Sequence, residues 1–188
     1  VLKEIRKQFP DIIISIDTVW SEVARAVIDN GADIINDISG GEFDSQMLKT
    51  VGELNVPYIL THFKEKAEYK NQIIELSQYF SQRINALYDY GAKDIILDLG
   101  FGFGKTIEQN YRLLHDLQIL QCLHAPILVG VSRKSMLYKP LDTTPDHVLP
   151  ATIAAQTLAL ERGANILRVH DVAAAKQTIS IHQITHNS

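Results

Sequence analysis

Short apolar runs recur along the chain and alternate with segments in which apolar residues follow helical spacing. Between Trp20 and Ile28, for example, the apolar residues keep the spacing of one helix face. The pattern predicts six strands, at roughly 11–17, 32–38, 57–62, 94–99, 126–132 and 165–171. Near-continuous apolar strands that alternate with amphipathic helices are typical of an α/β protein with a parallel sheet covered by helices.

Three junctions share one local pattern, in which a Gly-Ala step precedes an apolar run, at Gly31, Gly91 and Gly163. Each glycine stands where a helix is expected to end. The recurrence indicates a repeating strand–helix unit, which fits either an open doubly wound sheet or a closed (β/α)8 TIM barrel. Because such a barrel has eight strands and about 250 residues, we interpret residues 1–188 as one barrel domain that contains units three to eight and lacks the first two.

Polar side chains stand where each predicted strand stops. In a barrel, the carboxyl ends of all strands meet at one mouth, where catalytic groups lie. Alternation along a strand places residues two apart on the same face. The strand ends are Asp17-Thr18, Asn36-Asp37, His62, Asp98, Ser132-Arg133-Lys134 and Arg168-Val169-His170-Asp171.

Each of these residues also has a structural explanation. Asp17 could cap the helix that begins near Trp20, and Asn36 could hold the following turn. Asp98 could accept hydrogen bonds from the glycine-rich loop behind it. Lys134 could be a solvated surface lysine, and His170 a structural histidine. Six successive strand ends with such residues favour a functional site over six unrelated structural roles.

A glycine-rich segment, residues 100–106, follows the fourth predicted strand. It differs from a phosphate-binding loop, because only three residues separate Gly100 from the later Gly-Lys pair where that motif has four. Its alternating glycines do not match the dinucleotide fingerprint either. The segment instead indicates backbone freedom beside a flat ligand, with no role assigned to Lys105.

Five segments of the chain form one recognisable set: Ser15–Thr18, Gly31–Asp37, Asp98–Thr106, Gly130–Ser135 and Arg168–Val172. Taken together and in this order, they resemble the dihydropteroate synthase family of pterin-binding enzymes across essentially the whole chain. Two features depart from the family pattern. Thr61-His62-Phe63 stands where the family usually has Met-His-Met, and Leu99 where it usually has proline.

The resemblance implies a transferase of folate biosynthesis, a target of sulfonamides. Its members join 6-hydroxymethyl-7,8-dihydropterin diphosphate to p-aminobenzoate and release diphosphate. By the same resemblance, Asn36, Asp98 and Lys134 bind the hydrogen-bonding edge of the pterin. Asp17 faces the pterin ring and stabilises the positive charge that develops as the C–O bond to diphosphate breaks. Asp17 and Lys134 are thus the candidate catalytic residues.

The other substrate groups are assigned in the same way. Arg168 and His170 are expected to bind the departing diphosphate, since cationic side chains suit that ligand. Ser135 opens a helix, and its backbone amide is expected to meet the carboxylate of p-aminobenzoate. The resemblance also implies a homodimer and a requirement for Mg²⁺. The ligands of that ion are expected in the absent N-terminal region, and no metal ligand is assigned within this chain.

Composition narrows the remaining possibilities. A formal net charge of −4 provides no basic stripe for nucleic acid. No apolar run approaches the roughly 20 residues of a membrane span. Cys122 is the single cysteine, so the chain has no internal disulfide. Because Cys122 lies among leucines, we expect its side chain to be buried. We expect a cytoplasmic protein without nucleic-acid or membrane partners.

Three other functions remain as alternatives. A Schiff-base aldolase built around Lys134 would use one lysine at a strand end but would give Asn36 and Asp98 no role. A methyl-transfer protein that binds a reduced folate would need no diphosphate site, which Arg168 and His170 argue against. A non-catalytic pterin-binding paralogue would fit the departures from the family pattern.

Overall fold

A computed structural model describes residues 1–66 and 68–187, with Asn187 described by its backbone alone. Strands and helices alternate, which confirms the α/β class. The strands are β1 (Ser15–Asp17), β2 (Ile34–Asp37), β3 (Tyr58–Thr61), β4 (Ile95–Asp98), β5 (Ile127–Val129) and β6 (Ile166–Leu167). The helices are α1 (Leu2–Gln8), α2 (Ser21–Asp29), α3 (Met47–Leu54), α4 (Gln72–Asp89), α5 (Ile107–Asp116), α6 (Ser135–Tyr138), α7 (Leu149–Glu161) and α8 (Val172–Asn187).

All six predicted strands are present, and each is shorter than the apolar pattern suggested. The difference is largest for β6, where only residues 166–167 are strand. The sequence pattern records burial of side chains, whereas a strand needs a continuous ladder of hydrogen bonds. Single backbone bonds extend just beyond β1 and β6, from the Thr18 amide to the Asn36 carbonyl and from the Arg168 amide to the Val129 carbonyl. The candidate residues therefore lie at or just beyond the carboxyl ends of the strands.

The chain divides into two compact units. The first comprises residues 1–63 and 78–97. In it β1 pairs in parallel with β2, and β2 with β3, while β4 is the next strand after β3. Fully buried side chains of β2, β3, α3 and α4 form its core, and they include Ile35, Tyr58, Leu60, Met47 and Phe80. This core holds β2 in place, and β1 is positioned by its pairing with β2.

The second compact unit comprises the described residues of 64–77 and 98–188. In it β5 pairs in parallel with β6, with Leu128 opposite Ile166. A capping box begins α5, because the Thr106 hydroxyl accepts from the Gln109 amide while the Gln109 side chain accepts from the Thr106 amide. Asp98, the last residue of β4, belongs to this unit.

The structure contradicts one sequence-based expectation, which concerns Cys122. Cys122 is exposed, so the prediction of a buried thiol was wrong. It lies in a 3-10 helix, Leu117–Leu123, whose inward face carries Leu117 and Leu120. Within the described residues, no helix is both long and apolar enough to cross a membrane. The assignment of the chain to barrel units three to eight, in one domain, stays a prediction.

Candidate active site

Asp17 and Asn36 lie side by side at the ends of β1 and β2. The parallel register makes them direct partners, and the Thr18 amide donates to the Asn36 carbonyl. The Asn36 Nδ2 group donates to Asp17 Oδ1 over 2.6 Å. Asn36 is buried whereas Asp17 is exposed. A buried amide thus orients a carboxylate that a ligand can reach.

The alternative role of Asp17, as a helix cap, is wrong. The Ser21 amide at the start of α2 donates to Asp44 Oδ2 over 2.8 Å. The preceding Trp20 amide donates to the Thr18 hydroxyl over 3.1 Å. Asp44 also accepts from the Gln46 amide, so this carboxylate serves the ends of two helices. With these groups in the capping positions, the Asp17 carboxylate is directed to Asn36 instead.

Asp37 has a structural role beside Asn36. Its buried carboxylate accepts from the Ser39 amide and hydroxyl, the Gly41 amide and the Tyr58 hydroxyl, at 2.6–2.7 Å. Burial and this carboxylate raise the pKa of Tyr58 well above its usual value. Asp37 therefore stabilises the turn after β2. Of Asn36 and Asp37, Asn36 is the residue that lies at the candidate site.

The Thr61-His62-Phe63 segment begins at the last residue of β3, in the first unit. His62 is buried and packs edge-on against Tyr79, with ring centroids 4.9 Å apart. Thr61 is also fully buried, and in the described part of the chain its hydroxyl has no hydrogen-bond partner. This departure from the family pattern therefore places an unsatisfied polar atom in the core of the unit.

Asp98 and Arg168 form the centre of the site residues in the second unit. Arg168 Nη1 lies 2.7 Å from Asp98 Oδ2, and the Gly100 amide donates to Asp98 Oδ1 over 2.9 Å. The Asp98 side chain is 4% exposed whereas that of Arg168 is 44% exposed. Asp98 therefore has both functions: it accepts a hydrogen bond from the glycine-rich loop, as the structural explanation suggested, and it pairs with Arg168.

Lys134 lies in the same cluster. Its Nζ donates to the Phe101 carbonyl and lies 5.3 Å from the centre of the Phe103 ring. Burial lowers the pKa of Lys134, while nearby Asp98 raises it and Arg168 lowers it further. Gly102 makes room for this side chain, because a Cβ at that position would meet the Lys134 Cδ at 3.3 Å and the backbone φ there is +82°. Lys134 is thus a half-buried lysine and not a solvated one.

Lys105 is a charged residue for which the sequence pattern predicts no role. Its side chain is almost buried, and Nζ donates to the Gly100 carbonyl over 2.8 Å. Burial lowers the pKa of Lys105 to about 7, and Lys134 and Lys64 add to the effect while Asp98 opposes it. Lys105 therefore joins Asp98, Lys134 and Arg168 in one electrostatic cluster. The only signal in the sequence was its place in the glycine-rich segment.

Two contacts hold the residues that follow β5 and β6. His170 Nδ1 lies 3.0 Å from the Ser132 hydroxyl, which also accepts from the His170 amide. Arg133 binds Asp171 through two nitrogens, at 2.7 and 3.0 Å. This ion pair holds the pKa of Asp171 below its usual range. Arg133 and Asp171 were not predicted as partners, because nothing local links residues 38 positions apart.

Ser135 is the first residue of α6, as predicted, although this helix has only four residues. Among the predicted site residues, the structure brings together Asp17 and Asn36 in the first unit. In the second unit it brings together Asp98, Lys134 and Arg168. The second group combines one nearly buried carboxylate with two cations, an arrangement that suits a planar polar ligand and an anionic leaving group.

Comparison with protein families supports this chemistry. A family model described as pterin binding enzyme matches residues 1–170. The dihydropteroate synthase of Clostridium beijerinckii is 40% identical over 185 residues, which cover 95% of this chain and 68% of that protein. The dihydropteroate synthase of Synechocystis is also 40% identical, covering 96% of this chain and 66% of that protein. The chain thus spans about two thirds of the length of these curated relatives.

Solved structures give the same result. A Clostridium difficile dihydropteroate synthase in the presence of pteroic acid matches 96% of this chain and 71% of its own, with a TM-score of 0.90 and 35% identity. A Xanthomonas albilineans dihydropteroate synthase in complex with 7,8-dihydropteroate matches 100% and 74%, with a TM-score of 0.93 and 33% identity.

An α/β chain with acidic, amide and cationic side chains at its strand ends is an enzyme-like scaffold for a polar ring ligand. The match over residues 1–170 makes the assignment specific. The chain belongs to the family of pterin-binding enzymes, and the similar proteins named above are dihydropteroate synthases.

Proposed function

We propose that the complete protein is a dihydropteroate synthase. It condenses 6-hydroxymethyl-7,8-dihydropterin diphosphate with p-aminobenzoate and releases 7,8-dihydropteroate and diphosphate. The observation that carries the proposal is the nearly buried Asp98 carboxylate, paired with Arg168 and close to Lys134, in a member of the pterin-binding family. The names of the relatives support the same reaction.

Asn36, Asp98 and Lys134 bind the edge of the pterin ring. That edge presents several donors and acceptors in one plane, and these side chains supply an amide, a carboxylate and an ammonium group. The low exposure of Asp98 strengthens its hydrogen bonds to a bound ring, because the local dielectric is low. Lys134 has a lowered pKa through burial, so a ligand that accepts from its Nζ favours the protonated form.

Asp17 acts on the reacting carbon. Breakage of the C–O bond to diphosphate leaves positive charge on the pterin methylene, and a fixed carboxylate stabilises that charge. The hydrogen bond from Asn36 sets the orientation of the Asp17 carboxylate before substrate binds. Asn36 thus has a second task as a positioning residue for Asp17. The p-aminobenzoate nitrogen then forms the new C–N bond and loses its proton.

Arg168 and His170 bind the departing diphosphate. The guanidinium offers several donors in a fixed fork, and its partner Asp98 fixes its position. His170 is held through Nδ1 by the Ser132 hydroxyl, which directs Nε2 as the nitrogen for a ligand. The Ser135 amide receives the carboxylate of p-aminobenzoate.

Magnesium remains part of the proposal for the complete protein. Mg²⁺ prefers oxygen ligands. Within residues 1–66 and 68–187, the group of potential metal ligands that the structure brings together is Glu161, His182 and His186, in which two of three donors are nitrogens. This histidine-containing group therefore does not suit Mg²⁺, and none of the steps above uses the ion. A homodimer, a cytoplasmic location and inhibition by sulfonamides also belong to the proposal.

The direct test is product formation by the complete protein. Both substrates are incubated with enzyme, and 7,8-dihydropteroate and diphosphate are measured by chromatography and mass spectrometry. We expect equal amounts of the two products and no product when either substrate is omitted. Pterin binding without product would instead indicate a non-catalytic paralogue or a methyl-transfer protein. Covalent trapping of a keto substrate on Lys134 by borohydride would indicate the aldolase.

A further inference from the structure

A cluster of three metal-ligand side chains lies on α7 and α8, in the second compact unit. Glu161 is the last residue of α7, and His182 and His186 stand one turn apart on α8. We propose that Glu161, His182 and His186 bind a divalent transition-metal ion such as Zn²⁺. The site is independent of the proposed condensation, because none of its residues is among the strand-end residues assigned to substrates.

The distances fit ligands of one ion. His182 Nε2 lies 3.7 Å from Glu161 Oε1, and His186 Nε2 lies 3.6 Å from Oε2. One ligand atom from each residue lies within 4.8 Å of the other two. Two donors bound at about 2.0–2.1 Å to a tetrahedral ion are roughly 3.4 Å apart. Small rotations of exposed side chains therefore close the site around an ion.

Direct hydrogen bonds do not account for this arrangement. Both Glu161–histidine distances exceed the 2.7–3.2 Å range of such bonds. A single carboxylate nevertheless directs one oxygen to each of two histidines. The two rings stack with centroids 4.2 Å apart and an interplanar angle of 26°, so one ring turns about its Cβ–Cγ bond when both Nε2 lone pairs bind one ion.

The tautomer of His186 is also suited to ligation. Its Nδ1 lies 2.9 Å from the His182 carbonyl oxygen, and a carbonyl only accepts hydrogen bonds. Nδ1 therefore carries the proton, and in the neutral ring the lone pair is on Nε2, the atom that faces Glu161. Such a second hydrogen bond is the usual way in which a metal-binding histidine is oriented.

The donor set selects the class of ion. Two imidazole nitrogens and one carboxylate suit Zn²⁺, Co²⁺, Ni²⁺ or Cu²⁺, whereas Mg²⁺ and Ca²⁺ prefer oxygen. The exposed fractions of the side chains are 20% for His182, 45% for Glu161 and 49% for His186, so an ion can enter from solvent. Three protein ligands leave a fourth position for water. A bound ion would link α7 to α8 and thereby stabilise the folded state.

The test is a calorimetric titration of the complete protein, prepared without a histidine tag, with Zn²⁺ and separately with Mg²⁺. We expect one Zn²⁺ to bind per chain and the Tm to rise with Zn²⁺ concentration. We expect no saturable Mg²⁺ binding that substitution of Glu161 or His186 removes. Glu161→Gln and His186→Gln should each weaken Zn²⁺ binding at least about tenfold. His115→Gln is the matched control, since His115 is an exposed helical histidine beside Asp116, and it should leave Zn²⁺ affinity unchanged.

Three results would overturn the metal site. The first is the absence of Zn²⁺ binding by the wild-type protein. The second is wild-type Zn²⁺ affinity in both variants, which would assign the ion to other side chains. The third is an equal loss in the His115→Gln control. Circular dichroism confirms that each variant is folded. Glu161 and His186 are both exposed, so their substitution should leave the fold intact, and the two variants test the site independently.

Discussion

Arg168 and Asp98 form a direct ion pair, with the guanidinium Nη1 2.7 Å from the carboxylate Oδ2. The two residues were predicted to bind different parts of the substrate, Asp98 the pterin and Arg168 the diphosphate. Their contact means that the residue at the end of β4 and the residue just beyond β6 position each other. Substitution of Arg168 therefore also alters the charge around Asp98. An experiment on Arg168 needs a control variant that loses a positive charge elsewhere.

Arg168→Ala should weaken diphosphate binding by roughly 1.5–3 kcal/mol, the range for hydrogen bonds to charged groups. The expected cause is the loss of a cationic donor that is held in place by Asp98. Isothermal calorimetry with diphosphate measures the change. Arg112→Ala is the control, because Arg112 is an exposed arginine of α5 in the same unit. Wild-type affinity in Arg168→Ala, or an equal loss in Arg112→Ala, would exclude the anion-binding role.

Lys105 should make the stability of the protein depend on pH in the alkaline range. Its pKa is lowered to about 7 in the folded protein, whereas an unfolded lysine titrates near 10.4. Between these values the unfolded chain binds more protons, so stability rises with pH by up to about 1.4 kcal/mol per unit. Below pH 7 both states are protonated, and the cost of the buried charge is then fully present.

Lys105→Met should remove most of this slope. Urea unfolding between pH 7 and 9.5 compares the variant with wild type, and Lys176→Met, at an exposed position of α8, is the control. We expect the free energy of unfolding to rise less steeply with pH in Lys105→Met than in the other two proteins. Parallel pH profiles for all three would show that Lys105 titrates near its ordinary value and is not in a desolvated site.

Thr61→Val should stabilise the protein by about 1 kcal/mol or more, because it removes a buried hydroxyl that lacks a hydrogen-bond partner within the described residues. Thr50→Val is the matched control. The Thr50 side chain is also buried, but its hydroxyl accepts from Arg25, so this variant should lose stability. The free energy of unfolding in urea measures both. A destabilised Thr61→Val variant would show that the Thr61 hydroxyl is satisfied in solution.

The strand ends were accessible to sequence reasoning because two local rules act there. Burial makes each strand an apolar run, and the run stops where the ladder stops, so Asp17, Asn36 and Asp98 were identified from the pattern alone. Their contacts follow partly from parallel register, which pairs Asp17 with Asn36. The short length of β6 was not predictable, since Arg168 and His170 continue the alternation beyond residue 167, and the Arg168 amide still donates to the Val129 carbonyl of β5.

Other features depend on contacts that no local pattern encodes. The burial of Lys105 results from the path of the glycine-rich loop, and the Arg133–Asp171 pair joins residues that are distant in sequence. His182 and His186 are recognisable as an i, i+4 pair, but their partner Glu161 belongs to another helix. Each of these requires the tertiary structure, because the energetic cost or gain arises only when the segments are packed.

The most direct test of the account is the effect of Asp17→Asn on turnover of the pterin diphosphate with p-aminobenzoate by the complete protein. The amide keeps an oxygen that can accept from Asn36 Nδ2, so the geometry is retained while the negative charge is removed. We predict that wild type forms 7,8-dihydropteroate and that the variant loses about 100-fold or more in both kcat and kcat/KM. Asp89→Asn, an exposed position at the end of α4, should keep wild-type rates. An inactive wild type, or a variant whose kcat stays within about twofold while only KM rises, would contradict the proposed role of Asp17 at the reacting carbon.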